Sequence, residues 1–138
     1  MNLVEKALQI ALDAHRGQVD KAGMPYIMHP IAVAIQQKTT DAFAVALLHD
    51  VMEDSPYTAE DLKNEGIPQN IIEALLLLTH DKNEPYMEYI GRIKSNKLAK
   101  SVKLADLRHN SNLSRLQHVS EADKKRVEKY AVAIAILE

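Results

Sequence analysis

The chain has 138 residues, 46% hydrophobic and 26% charged, with a formal charge of −2 and no cysteine. That is one domain's length, enough to bury about two-thirds of the surface an unfolded chain exposes. The composition excludes disordered and membrane-spanning classes, the charge gives no broad attraction for nucleic acid or anionic lipid, and disulfides and thiolate metal sites are impossible.

From Asn2 to His15 the residues Val4, Ala7, Leu8, Ala11 and Leu12 recur at helical spacing, and Asn2 with Glu5 fits a capping box. The stretch RGQVDKAGMPY, from Arg16 to Tyr26, has two glycines, a proline and no periodicity, and reads as a loop. Pro30 suits the first turn of a helix through Ile31, Val33, Ala34 and Ile35, which puts His29 at its start. Asp41 is expected to cap a central helix that ends near Ser55-Pro56, because a proline disfavours helical geometry at the residue before it. Thr58 and Asp61 match a capping box for a short helix stopping at Gly66. Pro68 opens NIIEALLLLTH, whose run from Leu75 to Leu78 is apolar on all sides and is expected to be buried.

Asp81 to Glu84 is a polar turn, and Pro85 starts a helix that aligns Tyr86, Tyr89, Ile90 and Ile93 until Ser95 and Asn96 break it. Lys97 to Asn112 forms the next helix, with Leu98, Val102 and Ala105 inward. Glu121 to Glu138 is the last, striped by Val127, Tyr130, Ala131, Ile134 and Leu137. No strand alternation, hairpin signal or repeat of fixed period is visible. The expected fold is all-α, one domain over residues 1–138. The N-terminus shows no basic stretch followed by an apolar run and no window approaches about 18 uninterrupted apolar residues, so a cytoplasmic location is the expectation. Nothing in the sequence indicates a homo-oligomer.

Chemistry is concentrated in AVALLHDVMED, Ala44 to Asp54. On a helix at about 100° per residue, with His49 at zero, Glu53 falls near 40°, Asp50 near 100° and Asp54 near 140°. Val51, Ala44, Leu48, Met52 and Val45 fill the opposite arc, so one face carries chemistry and the other packs. Polar groups on so apolar a segment are costly to bury without a cation or a hydrogen-bond network. The candidate metal ligands are His29, the pair His49-Asp50, and Asp106 in KLADLRHN; two imidazoles and two carboxylates suit a divalent ion such as Mn²⁺, Fe²⁺ or Zn²⁺. Asn110 shares a helix face with Asp106. His15 and His80 read as structural residues, His109 as a neighbour of Asp106 whose orientation spacing does not decide, and His118 has no supporting signal. Among the tyrosines, Tyr26 stands out as a ligand-binding candidate because it lies on the loop beside the candidate ligands.

These residues resemble the HD superfamily of metal-dependent phosphohydrolases, whose pattern is a His, a His-Asp doublet and a distant Asp. The closer resemblance is to the hydrolase domain of RelA/SpoT-type alarmone enzymes and the small stand-alone alarmone hydrolases. The matching stretches are AHRGQ (Ala14 to Gln18), PYIMHP (Pro25 to Pro30), ALLHDVMED (Ala46 to Asp54) and KLADLRHN (Lys103 to Asn110). The resemblance implies a compact helical bundle holding one Mn²⁺ on His29, His49, Asp50 and Asp106. It further implies removal of the 3′-pyrophosphate of guanosine 3′,5′-bis(diphosphate), (p)ppGpp, with Glu53-Asp54 activating the attacking water and Asn110 matching the family's Asn. With such a substrate, Lys103, three residues before Asp106, and Lys21, in the loop, are candidates to offset charge on the phosphates.

The chain departs from that pattern in three ways. Asp20 and Ala22 stand where the family has a basic residue and a serine. Leu107-Arg108 replaces the order Arg-Leu, and Leu113 replaces a common threonine. The alternatives are therefore a different nucleotide or phosphoester as substrate, or a module that senses a nucleotide without turning it over. Complete ligands beside an intact Glu53-Asp54 argue against the sensor.

Overall fold

A computed structural model describes residues 1–114 and 116–138. Among these residues there are nine helices: α1 (Leu3–Ala14), α2 (Met28–Ile35), α3 (Thr40–Leu48), α4 (Val51–Asp54), α5 (Ala59–Asn64), α6 (Gln69–Leu78), α7 (Tyr86–Ile93), α8 (Lys97–Asn110) and α9 (Glu121–Leu137). No strand occurs among them, only an isolated bridge between Val19 and Pro25 that pinches the loop after α1. No helix is long and apolar enough to cross a membrane.

The bundle is built around α3. Ala42 and the run Ala44 to Leu48 are buried, and α3 packs against α1, α2, α6 and α8. A helix apolar on nearly every side can be satisfied only by neighbours on nearly every side. Ala7, Ile10 and Ala11 of α1, Val33 and Ala34 of α2, Ile71 and Leu75 of α6 and Val102 of α8 complete that core. The capping boxes at Asn2/Glu5 and Thr58/Asp61 form as expected, and Gly66, at φ 88°, supplies the left-handed residue that stops α5.

Four expectations need correction. The central helix is not continuous: α3 ends at Leu48, α4 begins at Val51, and His49-Asp50 form the joint. The His49 ring turns back and donates Nδ1–H to the Ala46 carbonyl at 2.6 Å, while its own amide binds the same carbonyl at 3.4 Å. This tightens the turn and ends the regular ladder. The cap of α3 is Thr39, whose hydroxyl accepts from the Ala42 amide at 3.1 Å. Asp41 lies inside the first turn and accepts from Asn70 Nδ2 at 3.0 Å. Thr39→Ala should therefore destabilise the fold by about 1 kcal/mol in a denaturant titration, whereas the same change at Asp41 removes no cap. Leu76 is 50% exposed, since four successive leucines spread over most of a helix's circumference and one faces out. On α9 the buried residues are Asp123, Ala133 and Leu137; Tyr130 and Ile134 pack partly buried against the core as expected, but Ala131 is exposed and Ala133 takes its place.

Candidate metal centre and phosphohydrolase site

The joint between α3 and α4, the start of α2 and the middle of α8 meet inside the bundle, and each brings a polar side chain that the surrounding apolar residues leave nowhere else to go. His29, His49 and Asp106 are all 4% exposed. His29, His49 and Asp50 offer donor atoms that lie within 4.8 Å of one another. Asp106 Oδ1 lies 2.8 Å from His29 Nε2 and 3.4 Å from His49 Nε2, and Asp50 Oδ2 lies 3.1 Å from His49 Nε2. Of the sequence-nominated ligands, His29, His49 and Asp50 thus form one group and Asp106 meets both of its imidazoles, from segments as far apart as residues 29 and 106.

Two observations show that this cluster suits a divalent cation. The Nδ1–H of His49 is committed to the Ala46 carbonyl, which turns Nε2 toward the carboxylates; that Nε2 is buried and has no hydrogen-bond partner. Burial works against charge here, yet Asp50 and Asp106 outweigh it and hold the His49 imidazole well above its ordinary pKa. The field therefore demands a positive charge at this atom, which a metal ion satisfies as a proton would. Among the carboxylates, Asp50 overcomes the cost of burial through His49 and is held at about 2, and Asp106 does so through Lys103 and His49. Both are ionised, as ligands must be.

A second layer orients the ligands. His29 Nδ1 and His109 Nδ1 are 2.7 Å apart, so one proton lies between them, and His29 Nε2 meets Asp106 Oδ1 at 2.8 Å; were a cation to replace that contact, a proton on Nδ1 would leave Nε2 free to coordinate. Tyr26 donates its hydroxyl to Asp50 Oδ2 at 2.5 Å. Asn110 Nδ2 donates to Asp106 Oδ1 at 3.0 Å, and Lys103 Nζ donates to Asp106 Oδ2 at 2.9 Å. Lys103, expected against phosphate, is a largely buried counter-charge whose ammonium is engaged by Asp106.

Glu53 and Asp54 stand on the exposed rim rather than in the cluster. Glu53 Oε1 accepts from the His80 amide at 2.5 Å. The Asp54 carbonyl accepts from Gln18 Nε2 at 2.8 Å. Burial, then the charges of Asp50 and Glu53, raises Asp54 to about 6; burial also raises Glu53, against the pull of the His80 amide. A cavity of about 370 Å³ meets the cluster where Tyr26, which holds Asp50, and Asn110, which holds Asp106, share its wall with Lys21, Ala22, Leu113 and Tyr130 among others. Lys21 thus reaches the cavity wall, though its ammonium pairs with Asp123 at 3.4 Å. Asp20 turns inward to its own loop and accepts from the amides of Ala22 and Met24 at 2.9 and 3.0 Å. Arg108 is exposed and pairs with Glu138. A larger hollow of about 440 Å³, between Leu12, Gly17 and Ile27, contains none of the candidate ligands.

Sequence reasoning missed the hydroxyl of Tyr26 as a clamp on Asp50, and it missed Gln18. Gln18 lies within AHRGQ and ties His15 Nδ1, at 2.8 Å, to the end of α4. His15 and His80 are structural as read: the His80 ring donates from Nε2 to the Glu84 carbonyl at 2.7 Å.

Fold and cluster together make an all-α bundle whose buried His-His-Asp group could hold one divalent metal. In sequence and in fold the chain resembles the RelA/SpoT-type hydrolase domains. It is 60% identical over 60 residues to guanosine-3′,5′-bis(diphosphate) 3′-pyrophosphohydrolase of Haemophilus influenzae, covering 41% of this chain and 9% of that protein. It is 42% identical over 64 residues to the bifunctional (p)ppGpp synthase/hydrolase SpoT of Escherichia coli, covering 44% and 9%. A longer match, 30% identical over 134 residues, covers 88% of this chain and 16% of a GTP pyrophosphokinase of Streptomyces coelicolor. The chain therefore spans well under a fifth of the length of these curated relatives. The solved structure of a metazoan ortholog of SpoT that hydrolyzes ppGpp matches with a TM-score of 0.78 at 25% identity, over 99% of this chain and 84% of that one. No family model matches the chain.

Proposed function

We propose that residues 1–138 form a single phosphohydrolase domain that removes the 3′-pyrophosphate of (p)ppGpp, using one Mn²⁺ on His29, His49, Asp50 and Asp106. The observation that carries this reading is the convergence of those four side chains around a buried, unpartnered imidazole nitrogen. The relatives named for this reaction supply the substrate class. A divalent ion held there supplies Lewis acidity, making water acidic near neutral pH and polarising a phosphoryl oxygen.

The chain's own groups do the rest. Tyr26 and His109 fix the directions of Asp50 and His29. Lys103 holds Asp106 by one oxygen and leaves the other facing inward. Water attacks the phosphorus beside the ribose 3′ oxygen, the bond from that phosphorus to the ribose oxygen breaks, the ribose oxygen takes a proton from solvent to become the 3′-hydroxyl, and pyrophosphate departs. Glu53 orients the attacking water and Asp54 takes its proton; a carboxylate raised to about 6 is a stronger base than an ordinary aspartate and still ionised at pH 7. Lys21, on the cavity wall, meets the phosphates, and Asn110 joins them from α8. The absence of cysteine is compatible with a reducing, cytoplasmic setting.

Purified protein with Mn²⁺ is expected to release pyrophosphate from ppGpp in preference to other members of a nucleotide panel. A second reading, another nucleotide as substrate, is favoured by Asp20, which puts a carboxylate in the loop where the resemblance has a basic group. Preferential turnover of a different nucleotide would establish that reading. Binding of ppGpp without any product would instead make the domain a sensor.

The raised Asp54 has a second consequence. A folded-state value of about 6, above the ordinary carboxylate value, means that the native fold disfavours the ionised form. The penalty is full above pH 6 and vanishes as pH falls below the unfolded value. In metal-stripped protein Asp54→Asn should therefore raise stability at pH 8 by about 1 kcal/mol, after discounting for solvent screening at this exposed site, and give no gain near pH 3. Calorimetry at the two pH values checks the sign.

A further inference from the structure

The turn between α6 and α7 is bonded more densely than an exposed connection requires. Arg92, on α7, directs its whole guanidinium into it. Nε and Nη2 reach the two carboxylate oxygens of Glu84 at 2.7 and 2.9 Å, Nη1 donates to the Leu77 carbonyl at 2.7 Å, and Nη2 also donates to the Thr79 carbonyl at 3.1 Å. Tyr89 donates its hydroxyl to the Leu78 carbonyl at 2.6 Å, and its ring centroid lies 5.2 Å from the guanidinium carbon. These carbonyls belong to the end of α6, where helical partners run out. The His80 ring closes the turn on the Glu84 carbonyl. The backbone amide of His80, within this assembly, donates to Glu53 Oε1.

We propose that the Arg92–Glu84 pair is a clasp that positions Glu53 for hydrolysis through the backbone amide of His80. The proposal rests on the role given to Glu53 above. Glu53 has three side-chain torsions and stands on an exposed rim, so unaided its carboxylate would sample many directions. A charge-assisted bond from an amide selects one. That amide can aim the carboxylate only if its own direction is fixed, and turns at a protein surface are ordinarily mobile. The planar fork of an arginine, held at four points, removes that freedom in a way a lysine's single ammonium does not. The Tyr89 ring also lies 5.2 Å from Lys103 Nζ, so the clasp and the Lys103–Asp106 pair share one buried ring. Arg92 is therefore a positioning residue, far from substrate and acting through another group.

The test is a double-mutant cycle read in two ways. Arg92→Ala should lower kcat by about 10- to 100-fold, the cost of a small misplacement, with KM and bound metal per chain unchanged. In a Glu53→Ala background the same change should add less than about twofold, because its effect passes through Glu53. Arg92→Lys should not restore turnover. Residue-resolved hydrogen exchange should show the His80 amide slow in the wild type and at least about tenfold faster in Arg92→Ala. If Arg92→Ala fails to fold, Glu84→Gln replaces it, with a smaller loss in the same direction. Equal losses in both backgrounds, or an unchanged His80 amide, would overturn the clasp. If the wild type hydrolyses no nucleotide, the functional reading falls, and the His80 exchange rate alone decides the clasp.

Discussion

Asp106→Ala is expected to empty the site of its cation, reduce hydrolysis by about 10³-fold or more, and weaken the fold, all from one side chain. Asp106 is 4% exposed and meets four partners: His29, His49, Lys103 and Asn110. Removing it withdraws one of the four proposed metal ligands and leaves the Lys103 ammonium, on a side chain only 13% exposed, without its counter-ion. Breaking a buried pair by deleting one member costs about 3–5 kcal/mol. Asp106→Asn separates the two effects, since an amide keeps the size and an acceptor but not the charge; it should lose the cation as fully while losing less stability. In the wild type, Mn²⁺ at a hundred times its dissociation constant should stabilise by about 2.7 kcal/mol, and in Asp106→Asn by almost nothing. Elemental analysis of bound metal, calorimetry and steady-state kinetics measure the three quantities. Full metal content and turnover in Asp106→Ala would remove this residue from the site.

The cluster was legible in the sequence because its parts are chemically conspicuous. His29, His49 and Asp50 are polar groups on apolar helical stretches, and a fold that buries the stretches must bury the groups; Asp106 lies on the more polar α8, where the motif KLADLRHN rather than an apolar setting marked it. The bundle was legible for the same reason: α3 is apolar nearly all round, so other helices had to surround it, and the caps at Asn2 and Thr58 are local patterns that tertiary structure leaves alone. What escaped was geometry made by side chains rather than by period. A helical wheel assumes a constant turn, and His49 breaks it by taking the Ala46 carbonyl with its ring. The consequence is large for Glu53 and Asp54, which the wheel placed on one arc with His49 and which the joint instead carries to the rim. Thr39 and Asp41 are both plausible caps two residues apart, and only the backbone at Thr39 (φ −125°, ψ 156°) decides between them. Lys103 looked like a free cation because nothing in its spacing shows how deeply α8 sits. Arg92 bridges to Leu77, Thr79 and Glu84, eight to fifteen residues away, a relation that no periodicity announces.

Glu53→Gln is the sharpest contrast to Asp106→Ala, because it should cut turnover while leaving the metal in place. Glu53 touches none of the four ligands; its hydrogen bond is to the His80 amide, and an amide oxygen can accept that bond as the carboxylate does. The substitution therefore keeps the side chain aimed and removes only its charge and basicity. A positioned acid–base group contributes about 10² to 10⁴ in rate, so kcat should fall by that range with KM nearly constant. Stability should stay level or rise slightly, since Glu53 is raised by burial and by the like charge of Asp50, and a neutral residue escapes both. Bound metal per chain should match the wild type. If Glu53→Gln turns over as fast as the wild type while Asp54→Asn does not, the orientation of the water belongs to Asp54 alone, and the pair on the rim divides its work differently. If turnover and metal are lost together, Glu53 belongs to the coordination sphere and its bond to His80 must break when the ion enters.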